Sequence, residues 1–178
     1  MEIKRASIER IEIDNISQLE IGDEIEIRDI EDLRATFIVA HKDNLYVYLM
    51  RKYLLHEVFD KPFEDVLVWL NKEYRISLEG NPGHIYKVTI PYVTNVQNME
   101  VEASISQPQW DIFKKTDRLK FYLEDGNRKI NDWWVLDNLS PAVHQFYYDT
   151  EGNLRDEESY DYPLDRAGIL PCLMISIT

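Results

Sequence analysis

The chain is poor in the residues that several functional classes need. It has one cysteine, Cys172, in 178 residues. That excludes an internal disulfide framework and any zinc site built on several thiolates. It has six glycines, with no Gly-rich phosphate loop and no Gly-x-Ser-x-Gly elbow, so dinucleotide-binding and hydrolase architectures find little support. Bases are scarce beside acids, 20 against 33, for a net charge of −13. Phosphate contacts are made by basic patches, so direct nucleic-acid binding is not expected. No stretch approaches eighteen consecutive apolar residues, and the longest run near the end, 169–177, is interrupted by Pro171 and Ser176. No membrane span is expected, and Met1-Glu2-Ile3-Lys4-Arg5-Ala6 lacks an apolar signal region. With a free thiol as well, the expected setting is the cytoplasm.

What is present is aromatic and β-branched. Eleven Tyr, six Phe and four Trp supply large side chains for a core. Ile21-Gly22-Asp23-Glu24-Ile25-Glu26-Ile27-Arg28 reads as a Gly-Asp turn leading into a half-buried strand. Ala35–Ala40 and Leu45–Met50 are apolar runs around the polar turn His41-Lys42-Asp43-Asn44, the pattern of a hairpin. A helix is predicted from Pro62, with Phe63, Val66, Leu67, Leu70 and Tyr74 on one face, Trp69 beside it, and Gly80-Asn81-Pro82-Gly83 as its exit. Ile85 to Val93 reads as a strand placed at an edge or bend by Pro91. Ser106-Gln107-Pro108-Gln109 has the form of a capping box for a second short helix carrying Trp110, Ile112 and Phe113. Leu119–Leu123, Trp133–Leu136, Val143–Tyr148 and Ile169–Ile177 are candidate strands. With no repeat and no linker, the expectation is one α+β domain over residues 1–178, mixed or antiparallel sheet with one or two packed helices.

Candidate chemistry is sparse. His41, His56, His84 and His144 have no metal-ligand spacing between them. Asp149-Thr150-Glu151-Gly152-Asn153 lacks the oxygen ladder of a calcium loop and reads as a turn. Asp156-Glu157-Glu158 and Asp161 read as a solvated acidic loop. Cys172, between Pro171 and Leu173, reads as a buried, unreactive thiol. No metal, cofactor or enzymatic activity is expected.

The order of the late elements carries a resemblance. Asp132-Trp133-Trp134-Val135-Leu136, Ser140-Pro141, Phe146-Tyr147-Tyr148-Asp149-Thr150-Glu151-Gly152-Asn153-Leu154 and Gly168-Ile169-Leu170-Pro171-Cys172-Leu173-Met174-Ile175 follow one another. This resembles a family of uncharacterised bacterial and phage domains related to the C-type-lectin-like fold. Ile21-Gly22-Asp23, Phe37-Ile38-Val39, Tyr46-Val47-Tyr48-Leu49 and Val68-Trp69-Leu70-Asn71-Lys72-Glu73-Tyr74 agree with it in order. The resemblance covers about residues 20–178 and implies a lectin-like core without implying a sugar or calcium ligand. The chain departs from it at Asp137-Asn138 and Leu170, where the family carries arginines, and in its acidic, Tyr-rich late loops.

Three functions follow as expectations. The first is a non-enzymatic binding domain that recognises a protein or glycan through its late loops, Asp137 to Arg166, with Asp137, Asn138, His144, Tyr160, Tyr162 and Asp165 as contact residues. The second is an acidic phage or mobile-element inhibitor that occupies a basic nucleic-acid channel on a partner protein, which requires a continuous acidic stripe. Two acidic regions could build it: residues 149–166, with seven acids and two bases, and the group Asp23, Glu24, Glu26, Asp29, Glu31 and Asp32. The third is an enzyme of the formylglycine-generating type, which the resemblance to the wider lectin-like superfamily raises and the lone Cys172 disfavours.

Overall fold

Apolar residues alternate with polar ones near the start of the chain and run almost uninterrupted through the hairpin, which calls for a sheet covered on both faces at its centre. The computed structural model has that sheet. It describes residues 2–4, 10–12, 15–55, 63–80, 84–96, 109–114, 123–125, 128–130, 133–136, 143–148, 154–159 and 169–177. Side chains are described for 15–55, 65–80, 84–92, 95–96, 109–114 and 169–177.

The strands are β1 (Glu2–Lys4), β2 (Arg10–Glu12), β3 (Glu24–Ile27), β4 (Ala35–Lys42), β5 (Tyr46–Arg51), β6 (Ile85–Thr89), β7 (Leu123–Asp125), β8 (Arg128–Ile130), β9 (Trp133–Leu136), β10 (Val143–Tyr148), β11 (Leu154–Ser159) and β12 (Cys172–Ser176). Seven form one sheet in the order β2-β1-β3-β4-β5-β12-β6. Its neighbouring strands pair antiparallel, and β12 slots between β5 and β6, Leu173 facing Leu49 on one side and Val88 on the other. Strands β9, β10 and β11 make a three-stranded sheet, and β7 with β8 a hairpin.

Helix α1 (Phe63–Trp69) runs through a π-helical turn (Leu70–Tyr74) into α2 (Arg75–Ser77). It stops at Gly80, whose φ of 88° is the left-handed conformation that ends helices. Val66, Trp69, Leu70, Tyr74 and Leu78 are buried against Ile25, Phe37, Val39, Val47, Leu49, Val88, Leu173 and Ile175, so the predicted helix face is the face that packs. On the other side of the sheet, Ile38, Ala40, Met50, Leu54 and Cys172 meet Val96 of the short helix α3 (Val93–Val96), Ile112 of α4 (Asp111–Lys114) and Trp110 just before it. Among the described residues, no helix is long and apolar enough to cross a membrane.

The architecture is α+β, with differences from expectation. The strand expected over Ile85 to Val93 ends at Thr89, short of Pro91, and Val93 opens helix α3. The hairpin turn is tighter than His41–Asn44, because β4 continues to Lys42 and Asp43 closes the turn. The acids 156–158 are in strand β11, paired with β10 in the register Phe146 to Asp156 and His144 to Glu158, where a solvated loop was expected; backbone pairing absorbs polar side chains readily in a strand that ends its sheet. The short helix begins at Asp111, and its expected cap at Ser106 lies outside the described residues.

Candidate binding surface

The hairpin tip is organised by one carboxylate. Asp43 Oδ1 accepts from the Leu45 and Tyr46 amides at 2.7 and 2.8 Å, and Oδ2 accepts from the Tyr48 hydroxyl at 2.9 Å. Burial opposes ionisation of Asp43, but these three donors outweigh it and hold the carboxyl below its usual range. Burial of its ring first, and then the same bond, push the Tyr48 hydroxyl far above its ordinary value. The turn is therefore preset, and Tyr46 and Tyr48, two residues apart on β5, share the face away from α1.

From there a row of rings crosses the sheet. Tyr48 lies 5.8 Å from Trp110, which stacks on Phe113 at 6.4 Å, and Tyr46 lies 6.4 Å from Tyr48 and 5.3 Å from Tyr86 on β6. Exposure goes from 3% at Trp110 to 56% at Tyr86, and Leu45, in the turn next to Tyr46, is 59% exposed. The closed end is core and the open end is a ledge. The Leu45 carbonyl accepts from the Ile177 amide at 2.9 Å, so backbone bonding holds the tip to the end of the chain.

At the closed end, His41 Nδ1 stands 3.0 Å from Asp111 Oδ2, and its ring is 5.5 Å from Tyr48. Asp111 Oδ1 accepts from Lys114 Nζ at 2.8 Å; that bond first, and the one to His41, outweigh burial and keep the Asp111 carboxyl below its usual range. A His–carboxylate pair is two-thirds of a nucleophile-activating triad. The third member is missing among the described residues, where no hydroxyl or thiol bonds His41 and the Tyr48 hydroxyl is committed to Asp43. Cys172 is buried, which pushes its thiol up and away from the reactive thiolate, as its apolar flanks suggested. Among the described residues, no three His, Cys, Asp or Glu side chains are grouped to hold a metal ion.

Part of the first acidic region is occupied in holding the fold. Asp23 is buried and accepts from the Glu20 amide at 2.8 Å. Asp29 is buried on Arg51, Glu24 pairs with Lys52 at 2.8 Å, Glu26 with Arg34 at 3.9 Å and Glu31 with Arg51 at 3.5 Å. Asp32 Oδ1 accepts from the Arg34 amide. Asp23 and Asp29 are buried while Glu26 and Asp32 are exposed, so the six acids do not form one continuous open stripe.

Of the contact residues expected from sequence, Asp137, Asn138, Tyr160, Tyr162 and Asp165 lie outside the described residues. His144 is in β10, opposite Val135 and Glu158, and its side chain is outside the described set. Leu45, Tyr46 and Tyr86 were not singled out by sequence. The Tyr-x-Tyr spacing at 46 and 48 was the available signal, since two aromatics of one parity in a strand share a face.

No family model matches the chain, and neither the curated proteins nor the solved structures contain a match.

Proposed function

We propose that the chain is a non-enzymatic protein-binding domain whose contact surface includes the ledge Leu45–Tyr46–Tyr86. The observation that carries this reading is the exposed Tyr86 on β6 set against the half-buried Tyr46 ring on β5, with the exposed Leu45 in the turn next to Tyr46. Large aromatic groups such as Tyr, displayed at low entropy cost, are usual anchors of protein interfaces. Between protein and glycan, the polar groups favour protein. A sugar needs convergent donors and acceptors for its hydroxyls, whereas both Asp43 oxygens and both Asp111 oxygens already take donors from within the fold.

The late loops between Asp137 and Arg166, with Tyr160 and Tyr162, belong to the same proposal as a second contact region. The acidic-inhibitor reading has less support, because Asp29 and Glu24 of the first acidic region are paired with Arg51 and Lys52 and Asp23 is buried. The finer fold reading, a C-type-lectin-like domain of bacterial or phage type, is supported by strands at the Trp133-Trp134 and Phe146-Tyr147-Tyr148 segments and by the closing strand at Cys172. A cytoplasmic setting is supported by the free thiol.

The test places a photo-crosslinking amino acid at 45, 86, 160 and 162 in the native host. Adducts from 45 or 86 that Tyr46→Ala abolishes support the ledge. Adducts from 160 and 162 alone would move the surface to the late loops, and saturable binding on a glycan array that Tyr86→Ala removes would replace the protein partner by a sugar.

A further inference from the structure

Strand β6 is irregular where it meets β12. Lys87 stands opposite Met174 and Ile85 opposite Ile175, so two steps along β6 match one along β12, and Tyr86 is the extra residue. A bulge of this kind re-aims the side chain it carries. The Tyr86 ring reaches Tyr46 of β5, on the far side of β12, with the centroids 5.3 Å apart and the planes at 44°. The β12 residue opposite Tyr46 is Ser176, a small side chain between two large ones. Rings this close touch, so no ligand fits between them. What the pair offers is the outer face of Tyr86, the more exposed of the two.

Electrostatics says what suits that face. A tyrosine face is the negative side of a quadrupole and attracts cations. Among the described residues no cation of the chain lies over Tyr46 or Tyr86, and the cation–ring contact is that of Lys52 with Tyr53. The nearby Asp43 carboxylate takes its donors from two amides and the Tyr48 hydroxyl, and among the described residues no lysine or arginine pairs with it. Its charge is thus fixed in place and not neutralised. Lys87 and His84 flank this part of β6 and are exposed. Lys87 opposes a cation, but from the end of a long flexible stem, whereas Asp43 is held by three bonds. The chain as a whole adds a net charge of −13.

We propose that the partner docks an arginine on the ledge, its guanidinium stacked on the outer face of Tyr86 in the field of Asp43. Arginine suits the site better than lysine, because its planar, weakly hydrated cation stacks on aromatic faces. The inference rests on the reading of the ledge as a protein-binding surface and names the chemistry that the surface takes.

The probe is a capped Gly-Gly-Arg-Gly-Gly peptide, compared with the same peptide carrying citrulline, which keeps the planar shape and loses the charge. The full chain, with isotope-labelled tyrosine rings, is titrated at constant ionic strength and followed by nuclear magnetic resonance. Tyr46→Phe and Tyr86→Phe assign the two ring signals. The arginine peptide is expected to move the Tyr86 signal and to bind roughly two- to fivefold more tightly than the citrulline peptide, the range of an exposed cation–ring contact. Tyr86→Leu, read at the Tyr46 signal, should erase that preference. Asp43→Asn should weaken arginine binding about twofold and Lys87→Glu should tighten it about twofold. If Asp43→Asn loosens the turn, Lys87→Glu carries the charge test alone. A Tyr86 signal that does not move, equal binding of the two peptides, or a preference that survives Tyr86→Leu overturns the inference. So does an affinity indifferent to charge at 87. Crosslinks from position 86 that persist beside any of these results leave the ledge standing and remove only the arginine.

Discussion

Arg51 Nε lies 2.7 Å from Asp29 Oδ2, with both side chains almost entirely out of solvent. The same carboxylate oxygen accepts from the Tyr74 hydroxyl at 2.9 Å, while Oδ1 accepts from the Glu31 and Asp32 amides at 3.0 and 2.9 Å. Arg51 also donates to the carbonyls of Tyr53 and Leu54 at 2.8 and 3.1 Å. One group of polar atoms therefore joins the turn after β3, strand β5 and the helix. A buried ion pair is weak evidence of net stabilisation, but its partners are strongly interdependent.

Removing one partner should be far worse than trimming the network. Asp29→Ala leaves the Arg51 guanidinium buried and is expected to cost about 3–5 kcal/mol, whereas Tyr74→Phe removes one hydroxyl bond and should cost about 0.5–1.5 kcal/mol. Urea unfolding of both variants checks the ratio. Near-equal costs would mean that Arg51 finds other partners when Asp29 is lost.

Much of the large sheet is legible in the sequence, because it follows local rules. The hairpin shows in two apolar runs around Asp43, and the helix face shows in the spacing of Val66, Leu70 and Tyr74. The Asp29 network is not legible, since its members stand 22 and 45 residues apart and nothing local marks Asp29 among its acidic neighbours. Asn71 has the same difficulty: it reads as one polar residue beside Lys72 and Glu73, and only the arrival of β6 gives its amide a role. The insertion of β12 between β5 and β6 is a long-range pairing that strand propensity cannot foresee. The candidate ledge hides for a related reason, because Tyr46 and Tyr86 come together through the sheet order and not through spacing.

Acid should loosen the contact between α4 and β4. The Asp111 carboxyl is held below its usual value of 3.8, chiefly by Lys114 and then by His41. A group whose pKa is depressed by folding contributes stability above its unfolded value and loses that contribution as pH falls through its folded value. Asp43 has the same sign, its lowering donors being Leu45, Tyr46 and Tyr48 against burial. Stability measured downward from pH 5 should therefore fall below about pH 4. Asp111→Asn should flatten part of that fall and leave the plateau near neutrality nearly level. An unchanged slope would show that Asp111 carries none of it.

Cys172 should behave as a core residue. Its thiol is fully enclosed and lies 3.6 Å from the Leu170 carbonyl. A colourless disulfide reagent at pH 8 should label it at the rate of unfolding and stoichiometrically in urea. Rapid labelling of the native chain would place the thiol at the surface.

The ledge makes the opposite demand, tolerance in folding with loss in binding. Leu45→Ala and Tyr86→Ala should each shift stability by no more than about 0.5 kcal/mol, as exposed positions do. Thermal melts check the first half, and crosslinking the second.

The most direct measurement of the proposed function is therefore crosslinking from position 86 in the native host, compared with the same probe in a Tyr46→Ala background. The expected result is a discrete protein adduct that the second substitution removes while the melting temperature holds. An adduct of equal yield in both backgrounds, or adducts from 160 and 162 with none from 45 or 86, would contradict a binding surface at the Tyr46–Tyr86 ledge.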